Sequence, residues 1–472
     1  MQILVLENST TSAKAMWVSG ETGAVEVRTA PYPPGTVQEG TCQAEQSFQA
    51  AVRLGRQLAA GRRADAVALT TTWHSLLLCG PGGEALSPVY LWSYPEAAGY
   101  GANMQKDQMF SERFYQITGC GVHGSYPFFK YQVLREQGRL PGSFRISDQG
   151  SYNLERLTGH WASNRCMASG SGWLDLRRGE WSQPLRELCG LSLEQFPPLV
   201  SCRQTFPLSP EGAAMLGLEP GTPVLTALPD GGMNQVGSGA CREGELTVSV
   251  GTTGALRMTV PAPRLGTWPG LWCYRIPEAW LCGAAVSGAC NCLDWFREQL
   301  AGGAGYGALE APADWQADTP VFLPFLWGER CPGWQAERRG GFWGLQGHHT
   351  RRQLYRAVQE GVLFSLRHCL DQMEEQAGEP RRIFLSGGIL QSPGWTQMCA
   401  DILGRELELD AVAQASMTGA AVTARWALGK LHSLEEYRPA AGGTAAPNPA
   451  MEAYYREKYK RYRDAYQRTG VR

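Results

Sequence analysis

A chain of 472 residues is too long for one hydrophobic core, so two domains are expected. A formal net charge of −1 gives no long-range pull toward nucleic acid or anionic lipid, and no apolar run approaches the roughly 20 residues that span a bilayer. The 14 cysteines are scattered, form no CxxC and do not pair with histidine at zinc spacing, so they read as buried thiols of a reducing compartment.

Strand-like and helix-like patterns alternate along the chain, which predicts an α/β protein. Residues 1–6 are too short for a signal-peptide core, and no basic residue precedes them, so the cytoplasm is the expected location. That apolar opening runs into VLENSTTSAKA, residues 5–15, where an acid, five small polar residues and a lysine follow in turn. Asn8, Ser9 and Thr10 match an N-glycosylation sequon, which without a secretory signal is accidental. Residues 45–60 carry an amphipathic helical pattern. ELTVSVGTTGALRMTV, residues 245–260, then repeats the opening design of apolar strand, Thr-Thr bend and second strand. One copy opening each half predicts duplicated domains facing each other across a cleft, with a boundary near Arg242. In residues 351–376, Leu354, Val358, Val362, Leu366, Leu370 and Met373 recur at helical steps. Residues 383–385 read as a short buried strand broken by Gly387 and Gly388, with a helix around 395–403. AAGGTAAPNPA, residues 440–450, reads as a low-complexity linker to the last segment. There Tyr455, Tyr459, Tyr462 and Tyr466 share one face among basic residues, the pattern of a docked amphipathic helix ahead of a single-stranded nucleic-acid platform.

Small residues in a strand-to-strand bend let backbone N–H groups approach a ligand closely, and threonine hydroxyls add donors for phosphate oxygens. An acid beside the bend suits Mg²⁺, which prefers oxygen ligands. The two bends therefore read as paired phosphate clamps, although either one alone is an ordinary β-hairpin.

Taken in order, the segments resemble the FGGY family of carbohydrate kinases. ENSTTSAK resembles the family's first phosphate motif, Asp-x-Gly-Thr-Thr-Ser-x-Lys, and VGTTG its second. TTTWHSLLL, PVYLW, TGCGVHGSYPFFK, ASGSGWLDL and LPDGGMNQVGSGA follow in the first half. FLPFLWGERCPGW, RGGFWGL, FLSGGILQSPGWTQMCADILG and MTGAAVTARWALG complete the second. The resemblance implies two actin-like (ribonuclease H-like) domains with a nucleotide and sugar cleft between them. It assigns residues 1–242 to an N-terminal domain with the sugar site and first phosphate motif, and 243–437 to a nucleotide-binding C-terminal domain. Residues 438–472 are left as linker and C-terminal helix. It further implies that Asp230 is the catalytic base and that His74 and Trp92 bind the sugar together with Asp230. Thr10, Thr11, Lys14, Gly251, Thr252 and Thr253 would hold phosphates, Gly387 and Gly388 the nucleoside, and Glu7 the metal. His123 gains at most a pocket role. ATP and Mg²⁺ are the expected cofactors and a small sugar or sugar acid the expected partner, with no nucleic acid and no membrane; a homodimer is left open.

Four departures from the family pattern stand out. Glu7 replaces Asp, Ser9 replaces Gly, Tyr94 and Glu96 replace an Asp and an Arg after Trp92, and Ala289 and Cys290 replace a Gly pair. An acid gained near Trp92 disfavours an anionic sugar by charge repulsion, whereas Trp-His-Ser and the spacing from Asp230 to Gly237 look most like the gluconate-kinase branch. Gluconate is the first expectation and xylulose or another ketose the next. The departures also keep open a catalytically weak sugar-binding sensor, and the fold logic admits an actin- or chaperone-like ATPase.

Overall fold

The computed structural model describes residues 1–20, 25–312 and 314–470. Its contacts divide the chain into two units, one of Met1–Cys241, Cys273–Leu281 and Val412–Pro439, the other of Arg242–Trp272, Cys282–Ala411 and Ala440–Arg472.

The first unit is built on strands β1 (Gln2–Asn8), β2 (Ser12–Ser19), β3 (Val25–Pro31), β4 (Ala66–Thr71), β6 (Thr205–Pro207), β7 (Pro223–Leu225) and β8 (Leu228–Pro229), while the short β5 (Val89–Tyr90) lies outside this sheet. Its order is β6-β7-β4-β1-β2-β3, with β8 also on β4. β1 is apolar on both faces because both are covered. Leu4 and Leu6 face helix α1 (Ala44–Ala59), where a Cβ on Gly55 would meet Leu6 at 2.6 Å. Ile3 and Val5 face the opposite core, shared with α4 (Asp230–Gly237) and α8 (Ala415–Ala427). These two helices cross backbone to backbone: a Cβ on Gly237 would meet the Ala415 carbonyl at 1.9 Å, and one on Gly419 the Met233 carbonyl at 2.0 Å. That crossing draws residues 412–439 into the first unit, although the sequence division placed 412–437 with the second half. Helices α2 (Pro127–Glu136) and α3 (Arg165–Ser169) complete the elements that reach the site.

The second unit repeats the plan. Strands β9 (Glu245–Val250), β10 (Gly254–Val260), β11 (Trp272–Ile276), β12 (Ala279–Val286), β13 (Arg382–Ser386), β14 (Leu407–Asp410) and β15 (Ala441–Ala445) run in the order β11-β12-β10-β9-β13-β14-β15, although residues 273–281 of β11 and β12 group with the first unit. In both sheets an antiparallel hairpin is followed by two parallel strands and an antiparallel edge strand. The duplication heard in the two Thr-Thr bends is thus a duplication of sheet topology. Helices α5 (Cys290–Gln299), α6 (Arg351–Ala377), α7 (Pro393–Leu403) and α9 (Glu452–Arg468) surround this sheet.

The low-complexity segment corrects one expectation. Residues 441–445 form β15, paired with β14 through Leu407↔Ala445 and Glu408↔Thr444. Its glycines serve the pairing: Gly443 sits at φ +118°, and a Cβ on Gly442 would meet the Leu409 carbonyl at 2.6 Å. The tyrosine-bearing tail docks as helix α9. Tyr455 and Tyr462 are buried, Lys458 Nζ lies 2.7 Å from Glu360, and Tyr466 donates to Glu329 at 2.6 Å. Glu329 is itself buried against Arg338 at 3.0 Å, which explains why the Gly-Glu-Arg stretch carries an acid inside the fold. No helix among the described residues is long and apolar enough to cross a membrane.

Candidate active site

In the first unit, the bend of residues 9–11 is closed by its own serines. Ser9 N–H donates to the Ser12 carbonyl at 3.0 Å, the Ser9 hydroxyl donates to the same oxygen at 2.8 Å, and Tyr32 OH donates to the Ser9 carbonyl at 3.0 Å. Ser9, where the family motif has glycine, thus finds its hydroxyl a place inside the turn. Trp92 donates its indole N–H to Thr10 Oγ1 at 3.3 Å, joining the expected sugar residue to the expected phosphate residue. Thr11 is exposed. Asn8 is buried with its amide satisfied by the Ser47 carbonyl at 2.8 Å and Asn153 at 2.7 Å, so the sequon asparagine is walled off.

Glu7 and Lys14 face each other across β1 and β2 and form an ion pair at 2.8 Å. The other Glu7 oxygen accepts from the Ser416 hydroxyl at the start of α8. With its side chain 2% exposed and each oxygen already bonded to a donor, Glu7 does not fit the expected role of direct ligand to a divalent ion. Lys14 likewise points its ammonium at Glu7 along the strand pair. Among the described residues, the three-ligand grouping close enough to share an ion is Asp318, His348 and His349, none of them at a Thr-Thr bend.

Asp230 is the first residue of α4, and Gly231 and Gly232 after it are helical. Its Oδ1 accepts from Gly231 N–H at 2.7 Å and from Trp73 N–H at 3.2 Å. Trp73 stacks on His74 with ring centroids 5.6 Å apart and planes 6° from parallel, and donates its indole N–H to the Met167 carbonyl at 3.2 Å. His74 has φ +63°, an uncommon backbone for a side-chain-bearing residue. Its Nδ1 lies 2.8 Å from the Gly170 carbonyl. A carbonyl only accepts, so Nδ1 carries a proton and donates it to Gly170. Gly170 has to be glycine: a Cβ there would meet Trp73 Nε1 at 2.5 Å. Tyr126 and Tyr274 complete the cluster, their hydroxyls 2.6 Å apart and their rings 5.1 and 5.4 Å from His74. Asp230, Trp73, His74, Tyr126 and Tyr274 are thereby brought together in one unit. His123 instead pairs with Ser125 at 2.9 Å and shapes its loop. Tyr274 was beyond the sequence reading, because the short return segment Cys273–Leu281 carries no motif.

In the second unit, Gly251 N–H donates to the Thr253 carbonyl at 3.1 Å, and Thr252 and Thr253 are exposed. The start of α5 closes on the bend, with Cys290 N–H donating to the Gly251 carbonyl at 2.9 Å and Asn291 N–H to the Thr252 carbonyl at 3.3 Å. Gly387, at φ +100°, passes so close that a Cβ would meet the Val250 carbonyl at 2.4 Å. A Cβ on Gly388 would lie 3.3 Å from Cys290 Sγ. Gly251, Thr252, Thr253, Gly387 and Gly388 therefore gather at the ends of β9 and β13, with Cys290 beside them.

The family model described as the FGGY family of carbohydrate kinases, N-terminal domain, matches residues 2–237, and the corresponding C-terminal domain model matches residues 246–428. The chain belongs to the FGGY family of carbohydrate kinases. Gluconokinase of Bacillus subtilis (strain 168) is 26% identical to it over 96% of this chain and 92% of that protein. Xylulose kinase of Escherichia coli (strain K12) is 30% identical over 73% of this chain and 72% of that protein. The crystal structure of ligand-bound xylulose kinase from Lactobacillus acidophilus superimposes with a TM-score of 0.93 at 26% identity, covering 99% of this chain and 98% of that one. This FGGY protein is accordingly an enzyme, a carbohydrate kinase of the actin-like fold, in a family whose phosphoryl donor is ATP.

Proposed function

We propose that this FGGY kinase phosphorylates a small sugar acid, gluconate first, with xylulose as the competing acceptor, and that Asp230 is its base. The observation that carries the reading is the placement of Asp230 against Trp73 and His74. The acid is fixed by two backbone N–H groups at a helix start, next to aromatic rings suited to the C–H face of a sugar and an imidazole nitrogen suited to a hydroxyl. In the reaction an acceptor hydroxyl attacks the γ-phosphorus, its proton passes to Asp230, and the bond from phosphorus to the ADP oxygen breaks. The exposed Thr252 and Thr253 hydroxyls are assigned to the phosphates, and Gly387 and Gly388 to the nucleoside. Thr10 joins them through its bond to Trp92. Mg²⁺ would neutralise phosphate charge in such a transfer, and Glu7, paired with Lys14, is not the residue that holds it.

The preference for gluconate gains from Glu96. Its carboxylate is 2.8 Å from Arg139, which also donates to Tyr94 OH at 3.1 Å. The acid gained after Trp92 is thus half of an ion pair, and the repulsion expected against an anionic sugar is largely cancelled. Full-length similarity to a gluconokinase points the same way. Incubating the protein with ATP, Mg²⁺ and an equimolar pool of aldonates, ketopentoses and polyols, then reading products by mass spectrometry, tests this. Phosphogluconate should dominate. A phosphorylated ketopentose as main product shifts the substrate to xylulose, and ATP hydrolysis without any phosphorylated sugar overturns the kinase assignment to this site.

A further inference from the structure

The side chain most at odds with its surroundings in the first unit is Lys130, on α2. It is 0% exposed, and burial drives its ammonium well below the usual lysine range with no acid contributing. Its Nζ donates instead to two backbone carbonyls, that of His74 and that of Tyr90 at 3.2 Å. Burying an amine against neutral carbonyls is costly where an apolar side chain of the same length would fill the space. What the amine holds explains its presence. One carbonyl belongs to His74, whose left-handed backbone aims the imidazole. The other ends β5, two residues before Trp92, and also accepts from Leu76 N–H at 3.0 Å.

We propose that Lys130 is a positioning residue of the acceptor site, tying the His74 peptide and the strand that delivers Trp92 to one buried donor and so fixing the two side chains relative to each other. It touches no reacting atom. It acts through His74, a residue at φ +63° whose carbonyl accepts from the Lys130 amine on α2. This deepens the acceptor-site reading above and rests on it for the ligand's identity, but the geometric claim is testable without any sugar.

Lys130→Met keeps the length and removes the donor. With the sugar identified above, KM for the acceptor should rise by about 10²-fold, the scale set by misplacing a binding group by roughly 1 Å, while KM for ATP stays within about twofold. A double-mutant cycle separates positioning from general loosening. Glycine adopts a left-handed backbone without help, so in a His74→Gly background Lys130→Met should keep only the smaller part of its effect that runs through the Tyr90 carbonyl and Trp92. In the sugar-free protein, imidazole ¹⁵N spectra assigned with His74→Asn should show the Nδ1–H tautomer in the parent and a mixture of tautomers in Lys130→Met. Should Lys130→Met not fold, Lys130→Gln, which reaches one carbonyl only, should give an intermediate acceptor KM and a partial tautomer shift. Unchanged His74 spectra and acceptor KM, or full additivity with His74→Gly, overturns the proposal. A parent protein inactive on every sugar, yet with His74 spectra that shift on Lys130→Met, overturns the acceptor assignment and leaves Lys130's role standing.

Discussion

The two Thr-Thr bends share a topology and differ in what surrounds them. The first is wired into its unit: Glu7 below it is bonded on both oxygens, Ser9 is tied inside the turn, and Thr10 holds Trp92. The second is bare. Thr252 and Thr253 are exposed, and its neighbours reach it through backbone and glycine. Duplicated hairpins have thus diverged into a structural bend bonded to Trp92 and an open one lined by peptide groups. Departures from the family pattern are absorbed where the wiring is dense, as at Glu7 and Ser9.

Substitutions on the two sides should therefore behave differently. Asp230→Asn keeps the side chain's shape and removes the base, so sugar-dependent turnover should fall by about 10³-fold while ATP binding by calorimetry is retained. Glu7→Gln should destabilise the first unit by about 3 kcal/mol, because it leaves the Lys14 ammonium without its anion in a mostly buried setting; denaturant melts followed by first-unit tryptophans read this. His368, in the second unit, is pushed down to about 4 by burial, with Arg463 adding to the effect. The unfolded chain then binds a proton that the folded unit refuses, so stability is full above about pH 6.5 and drains away toward pH 4, by at most about 3 kcal/mol. Thermal melts of His368→Gln should show a flatter pH dependence over that window. Gly387→Ala should cost roughly 1–3 kcal/mol of second-unit stability and raise KM for ATP with little change in acceptor KM. Thr252→Ala, on the bare bend, should leave stability within about 0.5 kcal/mol, and only nucleotide affinity should move. A Thr252→Ala effect on stability as large as that of Glu7→Gln would erase the contrast between the bends.

Much of this was legible in the residues, and the misses have physical causes. Both hairpins were readable because strand, small-residue bend and strand is a local pattern, and helix α6 because its apolar residues recur at helical steps. Asp230 is legible through the resemblance, but the helix it opens is not, since Gly231 and Gly232 disfavour a helix whose support comes from packing on α8. Residues 441–445 were read as linker because composition does not reveal that glycine is what lets a strand pair close to its neighbour. The bond from Glu7 to Ser416 joins residues 409 apart, and no spacing rule announces it. Lys130 ends the TGCGVHGSYPFFK stretch, and nothing local to that stretch announces its burial or its two carbonyl partners.

The interleaving of the units bears on how the chain matures during synthesis. The core beneath β1 and β4 needs Met417, Ala420, Ala421 and Trp426, which leave the ribosome only after the second sheet's β9 to β14. Until then Ile3 and Val5 have on that face only the residues of the first 241, Leu225, Leu228, Met233 and Val236 among them. The amino-terminal half emerges first and completes its core last.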